Sequence, residues 1–393
     1  MGFENKSHPS YASLCLGAFV AKPRLLLAAN FFVCLQIITN TFSINSDLRT
    51  MRILLAFAFC WLFLMSCSNK KEEKCAFIPE TSSIRIDLTF ESLEDSLPTI
   101  TQKSQLVGFL TRHPEMRDLF FNRSAYPNDS VFINELYNRF TNPHLDTLLT
   151  ETNRVFGKGE ELKREFEKAF ANLKYYYPQF HTPKIQTIVS GLETDLFVSD
   201  SLIIIGLDYF LGDGAKYRPN MHQYMLRRYN KSFIVPSVML LTGIDSRFNK
   251  INPEDKTVLA DMVAYGKAYY FTKQMLPCTP DSILIGYNRK EMNGSREFEN
   301  LIWSRLVEDQ VLFSTSHLVK QKYIAERPKT VEVGEQCPGR IGQWVGWQVV
   351  KKYVEKHPDI SLPKLMEIQN ASELFKDSGY RPQVIKVPGK EKS

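Results

Sequence analysis

The sequence predicts an α+β fold that is predominantly helical, a single domain with a small antiparallel strand pair. Three observations predict it. Apolar residues spaced three or four apart recur between residues 130 and 357, the pattern of helices with one buried face. The stretch 184–206 is instead rich in β-branched residues. Residues 83–385 contain no Pro-, Gly- or Ser-rich linker and no repeat period, and their length is near the upper end for one core.

The elements follow in order. Residues 83–93 alternate apolar and polar at first and predict a short strand. Residues 130–140 place Phe132, Leu136 and Phe140 on one helix face. Residues 159–177 do the same with Leu162, Phe166, Phe170 and Leu173, and the pattern stops at Pro178. Segments 184–189 and 195–206 predict two or three antiparallel strands turning at Asp200-Ser201. Asp208 follows the last apolar run, where an acidic residue serves as a helix cap or as a ligand; the cap is the preferred role. Helices are expected at 220–229, 236–242, 255–274, 295–313 and 340–357. In the last, Gly342 and Gly346 each cost about 1 kcal/mol relative to alanine in a helix interior. Their one-turn spacing predicts close approach of another backbone, with Trp344 and Trp347 buried beside it.

The first 66 residues are of a different kind. They hold five basic and two acidic residues, leaving 44 basic against 41 acidic beyond them, so half of the chain's net +6 lies in this segment. The near balance of the remainder argues against a nucleic-acid partner. From Met51 the chain reads MRILLAFAFCWLFLMSC: Arg52, then thirteen apolar residues, then Ser66 and Cys67. That is the pattern of a secretory signal peptide at 51–66, and thirteen helical residues reach only about 20 Å, too short to span a bilayer. Leu64-Met65-Ser66-Cys67 is similar to a bacterial lipobox, which makes Cys67 the expected lipidation site and 67–82, opening with SNKKEEK, a tether. Residues 1–50 carry a second, interrupted apolar run. It is either a weak hydrophobic segment or an upstream extension ahead of a start at Met51, the preferred reading. Residues 386–393 read as a short tail.

Beyond Cys67 only Cys75, Cys278 and Cys337 remain, widely spaced. One long-range bridge or three isolated thiols fit, and isolated thiols are the preferred expectation. Phosphate-loop, nucleophile-elbow and dinucleotide motifs are absent, and none of the seven histidines is followed by Glu. The nearest approach to a zinc-protease helix, at His222, has Gln223 in place of the base and Leu226 in place of the second ligand. No catalytic residue, metal ligand or cofactor is therefore assigned.

Several stretches resemble the gliding-motility lipoprotein GldB family of Bacteroidota: KYYYP at 174–178, SLIIIGLDYFLG at 201–212, MVAYGKAYY at 262–270, ENLIW at 299–303 and PGRIGQWVGWQVV at 338–350. The resemblance covers nearly the whole mature chain in order. It implies a lipid-anchored protein of the cell envelope, most simply at the outer membrane. It also implies a non-enzymatic role in the gliding and type IX secretion machinery, with a membrane contact through the anchor and an envelope protein as partner. The family is similar in layout to predicted zinc proteases, but here HExxH is missing and Tyr265 precedes Gly266 where such an enzyme carries Glu. The implied fold is thus zincin-like without the metal site. Two other readings stay open. One is an envelope hydrolase using Asp208, Tyr217, Tyr265 and Arg340; the other is a substrate-binding lipoprotein with a pocket lined by Trp344 or Trp347.

Overall fold

Strands β1 (Phe90–Ser92), β2 (Lys184–Ile188), β3 (Leu196–Val198) and β4 (Leu202–Gly206) form one sheet in the order β1-β2-β4-β3. The computed structural model describes residues 75–384, so the 1–50 extension, the signal peptide, Cys67 and the 386–393 tail lie outside the described residues. The described residues belong to one compact unit, Glu73–Ser393. β3 and β4 make the expected antiparallel pair, turning at Asp200-Ser201, where the Ser199 N–H donates to the Leu202 carbonyl at 2.9 Å. β2, however, pairs parallel with both β1 and β4, which corrects the expectation of an all-antiparallel set. After β2 the chain crosses the end of the slot next to it and forms β3 two places away. β4 then returns between them, in the same direction as β2.

The sheet separates two apolar cores. Ile185, Ile203 and Ile205 enter one, while Ile188, Leu202 and Ile204 enter the other. The second core is closed by α1 (Lys103–Arg112), α2 (Asp129–Phe140) and α3 (Leu145–Phe156). Phe132, Leu136 and Phe140 of α2 are buried there as their spacing requires, and the Asn128 side chain caps the helix by accepting from the Val131 N–H. The larger core holds α4 (Glu160–Tyr176), with Leu162, Phe166, Phe170 and Leu173 buried ahead of the Pro178 stop.

The remaining helices pack around that larger core. α5 (Gln223–Leu226) is a single turn, shorter than the expected 220–229, because the Tyr229 carbonyl accepts from the Gly212 N–H in a bridge between Leu211 and Asn230. α6 (Ile234–Ile244) and α7 (Val258–Met275) follow. α7 starts later than expected: Asp255 accepts from the Thr257 N–H and hydroxyl in a turn, and Thr257 becomes the cap. α8 (Asp281–Ile285) was not expected, and the expected 295–313 helix is divided between the end of α9 (Arg289–Glu297) and α10 (Glu299–Glu308), with Phe298 at the break. α11 (His317–Tyr323), α12 (Ile341–Lys356), α13 (Leu362–Glu367) and α14 (Ala371–Ser378) complete the order.

α7 and α12 cross at two glycines. A Cβ on Gly346 would lie 1.8 Å from the Met262 carbonyl oxygen, and one on Gly266 would lie 2.3 Å from the Gly346 oxygen. The close approach expected from the 342/346 spacing is therefore realised, with Trp344 and Trp347 both buried. Cys75 and Cys278 form a disulfide across 203 residues, and Cys337 is a buried thiol. This corrects the preference for three isolated thiols. The pairing depends on the end of α7 meeting the start of the domain, a tertiary contact that cysteine spacing does not carry.

Candidate functional site

Six of the seven residues singled out from the sequence fall in two places, and Cys67 lies outside the described residues. Asp208 follows β4 inside a single 3-10 turn, Leu207–Phe210, and is fully buried. Its carboxylate accepts from the Ser190 N–H at 2.8 Å, the Leu192 N–H at 2.6 Å and the Ser190 hydroxyl at 3.3 Å. It is thus not a helix cap. It clamps the segment that carries the chain from β2 across to β3, where Gly191 and Leu192 both take positive φ, at 75° and 62°. Burial pushes this carboxyl up to about 6, against the downward pull of those donors.

Tyr217 lies on the outer side of the same segment. It lines a cleft of about 490 Å³ with Arg139, His144, Leu148, Leu192 and Lys216. The Tyr217 hydroxyl stands 2.9 Å from His144 Nδ1, and Lys216 lies 5.3 Å from the Tyr217 ring centroid. Arg139 pairs with Glu193 at 3.1 Å and Arg218 with Asp213 at 2.7 Å, so two of the three cations at the cleft carry acidic partners. The cleft offers one proton donor–acceptor pair over an apolar floor. His144 was not anticipated, because nothing in its local sequence distinguishes it from a solvated surface histidine.

Tyr265, Arg340, Trp344 and Trp347 gather around the α7–α12 crossing. Arg340, the residue before α12, takes a φ of 60° and is buried. Its guanidinium donates to the Ile285 carbonyl at 2.7 Å and the Tyr269 hydroxyl at 3.3 Å, and its Nε lies 3.3 Å from Glu326. Glu326 also pairs with Arg228 at 2.8 Å. Burial opposes the Arg340 charge, but Tyr269, Glu326 and Tyr287 outweigh it and hold the guanidinium above its ordinary range. Tyr269 donates to Gln343, which donates in turn to the Ile324 carbonyl, both at 2.8 Å. Tyr265 is half-buried beside Asp261 and Arg340; burial and Asp261 push its hydroxyl up. Trp347 stacks on Tyr269 at 5.3 Å. Trp344 and Trp347 are core side chains, and neither lines the Tyr217 cleft. The four residues of the hydrolase reading are therefore not brought to one site.

Two buried features carried no signal in the sequence. Lys267, next to Gly266, is 1% exposed and donates to the carbonyls of Lys250, Met366 and Ile368 at 2.7, 3.2 and 2.7 Å. Burial pushes its ammonium down to about 7. A cleft of about 580 Å³ opens beside Tyr177, Phe180, His181 and Phe248, and the buried Tyr177 hydroxyl has no partner among the described residues. Among the described residues no three His, Cys, Asp or Glu side chains are placed to hold a metal, and no helix is long and apolar enough to cross a membrane.

The described residues form a helix-dominated α+β body with a small mixed sheet and a glycine-notched helix crossing. The chain belongs to the gliding motility protein GldB family, whose model matches residues 74–382. No curated protein and no solved structure matches it significantly.

Proposed function

We propose that this chain is a lipid-anchored, non-enzymatic component of the gliding and type IX secretion machinery, held at the outer membrane through Cys67. The family match over 74–382 is the observation that carries this reading. The use of the polar groups supports it. Both oxygens of Asp208 accept donors of the 190–192 segment, and Arg340 is engaged by Tyr269, Ile285 and Glu326, so these groups hold the fold together. Its mechanical role is then to present a rigid surface to an envelope protein partner.

Two variants test the reading in a strain deleted for the gene. The Cys67→Ala chain is expected to leave the membrane fraction and to fail to restore surface spreading. The His144→Ala/Tyr217→Phe chain is expected to restore it at the wild-type level. Loss of spreading in the second variant, with its melting temperature unchanged, would instead support a chemical role for the Tyr217 cleft. A small-molecule-binding role is favoured by one observation, the unpartnered Tyr177 hydroxyl at its aromatic cleft. A ligand that raises the melting temperature of wild type but not of Tyr177→Phe would support that role.

A further inference from the structure

Cys75, the first described residue, is bonded to Cys278, three residues beyond the C-terminal end of α7. The turn that carries Cys278 is tied down on both sides. Asn172 of α4 donates to the Met275 carbonyl at 2.8 Å, and Lys273 donates to the Thr279 carbonyl at 2.7 Å. From that turn α7 runs into the larger core and crosses α12 at Gly266 and Gly346. A pull delivered to Cys278 therefore meets the closest helix crossing described above.

The chain that follows Cys75 is held far more weakly. The Ala76 N–H donates to the Pro277 carbonyl at 2.9 Å. From Phe77 to Leu88, among the described residues, no hydrogen bond or ion pair joins this strap to the rest of the body. Its bonds are local, from the Ile84 N–H to the Thr81 carbonyl and from the Ser82 N–H to the Glu80 carboxylate. Phe77 and Ile78 are 63% and 59% exposed; Pro79 and Leu88 are buried, and Ile86 is half-buried. The next fixed point is the Thr89 carbonyl, which accepts from the Ile185 N–H at 2.9 Å where β1 begins. A segment with few buried side chains and no long-range hydrogen bonds opens at low free energy.

The two fixed points give the tether different lengths. Cys67 and Cys75 are eight residues apart, at most about 29 Å of extended chain. Cys67 and Phe90 are 23 residues apart, at most about 83 Å. With the bridge closed, tension on the anchored chain crosses from Cys75 to Cys278 and bypasses residues 76–89. With the bridge open, the same tension falls on the strap.

We propose that the Cys75–Cys278 bridge is a mechanical clasp. It makes the end of α7 the point where a pull on the anchored chain enters the domain, and it keeps the 76–89 strap closed so that the tether stays eight residues long. The proposal rests on the anchor at Cys67, because a lipid fixed there and a partner moving against the domain put the chain under tension.

The test pulls the full-length chain, expressed with its own leader, in an optical trap through two peptide handles, one inserted between Ser68 and Asn69 and one after Ser393. Oxidised protein is expected to show no event before its main unfolding step. After reduction with dithiothreitol, and in Cys75→Ser/Cys278→Ser, a separate gain of up to about 54 Å of contour length is expected first. That gain should come at less than half the force of the main step and reverse on relaxation. A reduced chain without this early step, whether its main step falls in force or is lost, overturns the clasp and leaves the bridge as a stabiliser of the fold. Reduction of folded wild type decides the matter where the double variant does not fold. Both handles sit on the polypeptide, so failure of the anchor is a separate result: Cys67 is then found unmodified while the force traces are unchanged.

Discussion

Asp208 and Lys267 are buried ionisable groups with opposite partners, and each ties distant chain segments together. The carboxylate takes backbone N–H donors from 190–192, whereas the ammonium gives its protons to three carbonyls. For Asp208 burial dominates, raising its pKa in the folded state to about 6 from an ordinary 3.8. The folded protein then keeps a proton that the unfolded chain releases between these values. Stability from this proton is fully present below pH 3.8 and is lost as the pH rises through 6, amounting to about 3 kcal/mol. Asp208→Asn cannot titrate and turns an amide against a backbone N–H, which costs about 2 kcal/mol even in acid. Urea unfolding is therefore expected to show the wild type ahead of Asp208→Asn at pH 4, and the difference is expected to shift by up to about 3 kcal/mol in favour of Asp208→Asn by pH 7, enough to close or reverse it. A gap independent of pH would mean that Asp208 stays ionised throughout. Asp208 could be singled out from its position after a buried strand, but its clamping role could not, because its partners come from a loop 16 to 18 residues earlier.

Among the elements, the helix crossing of α7 and α12 was the most legible. Gly342 and Gly346 sit one turn apart in an apolar helix, and each admits a neighbouring backbone: Gly346 that of Met262 in α7, and Gly342 that of Tyr323 at the end of α11. Gly346→Ala forces a Cβ into the Met262 carbonyl, a backbone atom that cannot swing aside, and is expected to cost about 3 kcal/mol. Gly294 of α9 has nothing within 4 Å of an added Cβ, so Gly294→Ala is expected to gain about 0.5–1 kcal/mol. Denaturant midpoints of the two variants should therefore move in opposite directions. The parallel pairing of β2 with β4 was not legible, since the apolar runs of both strands fit either direction. Helices α1, α3, α8, α11, α13 and α14 also went unread. They take their stability from tertiary burial, as at Leu106, Leu145, Leu284, Tyr323, Leu365 and Leu374.

For the whole molecule, the class of fold and the family were readable from the sequence, whereas the way the domain is fastened was not. Apolar periodicity is local and survives in sequence; a bridge from Cys75 to Cys278 spans 203 residues and leaves no local trace. The bridge closes a loop of that size, for which chain entropy predicts up to about 5 kcal/mol of stabilisation, though measured values are commonly 2–4 kcal/mol. Reduction is accordingly expected to lower the melting temperature, and Cys75→Ser/Cys278→Ser should melt at the reduced wild-type value with no further response to reductant. The account as a whole depends on the chain being fastened to a membrane at the start of its tether. Intact-mass spectrometry of the protein extracted from its own envelope tests this most directly. A mass corresponding to a chain that begins at Cys67 and carries a diacylglyceryl group is the predicted result; an unmodified chain, or one that retains residues before Cys67, would contradict the account.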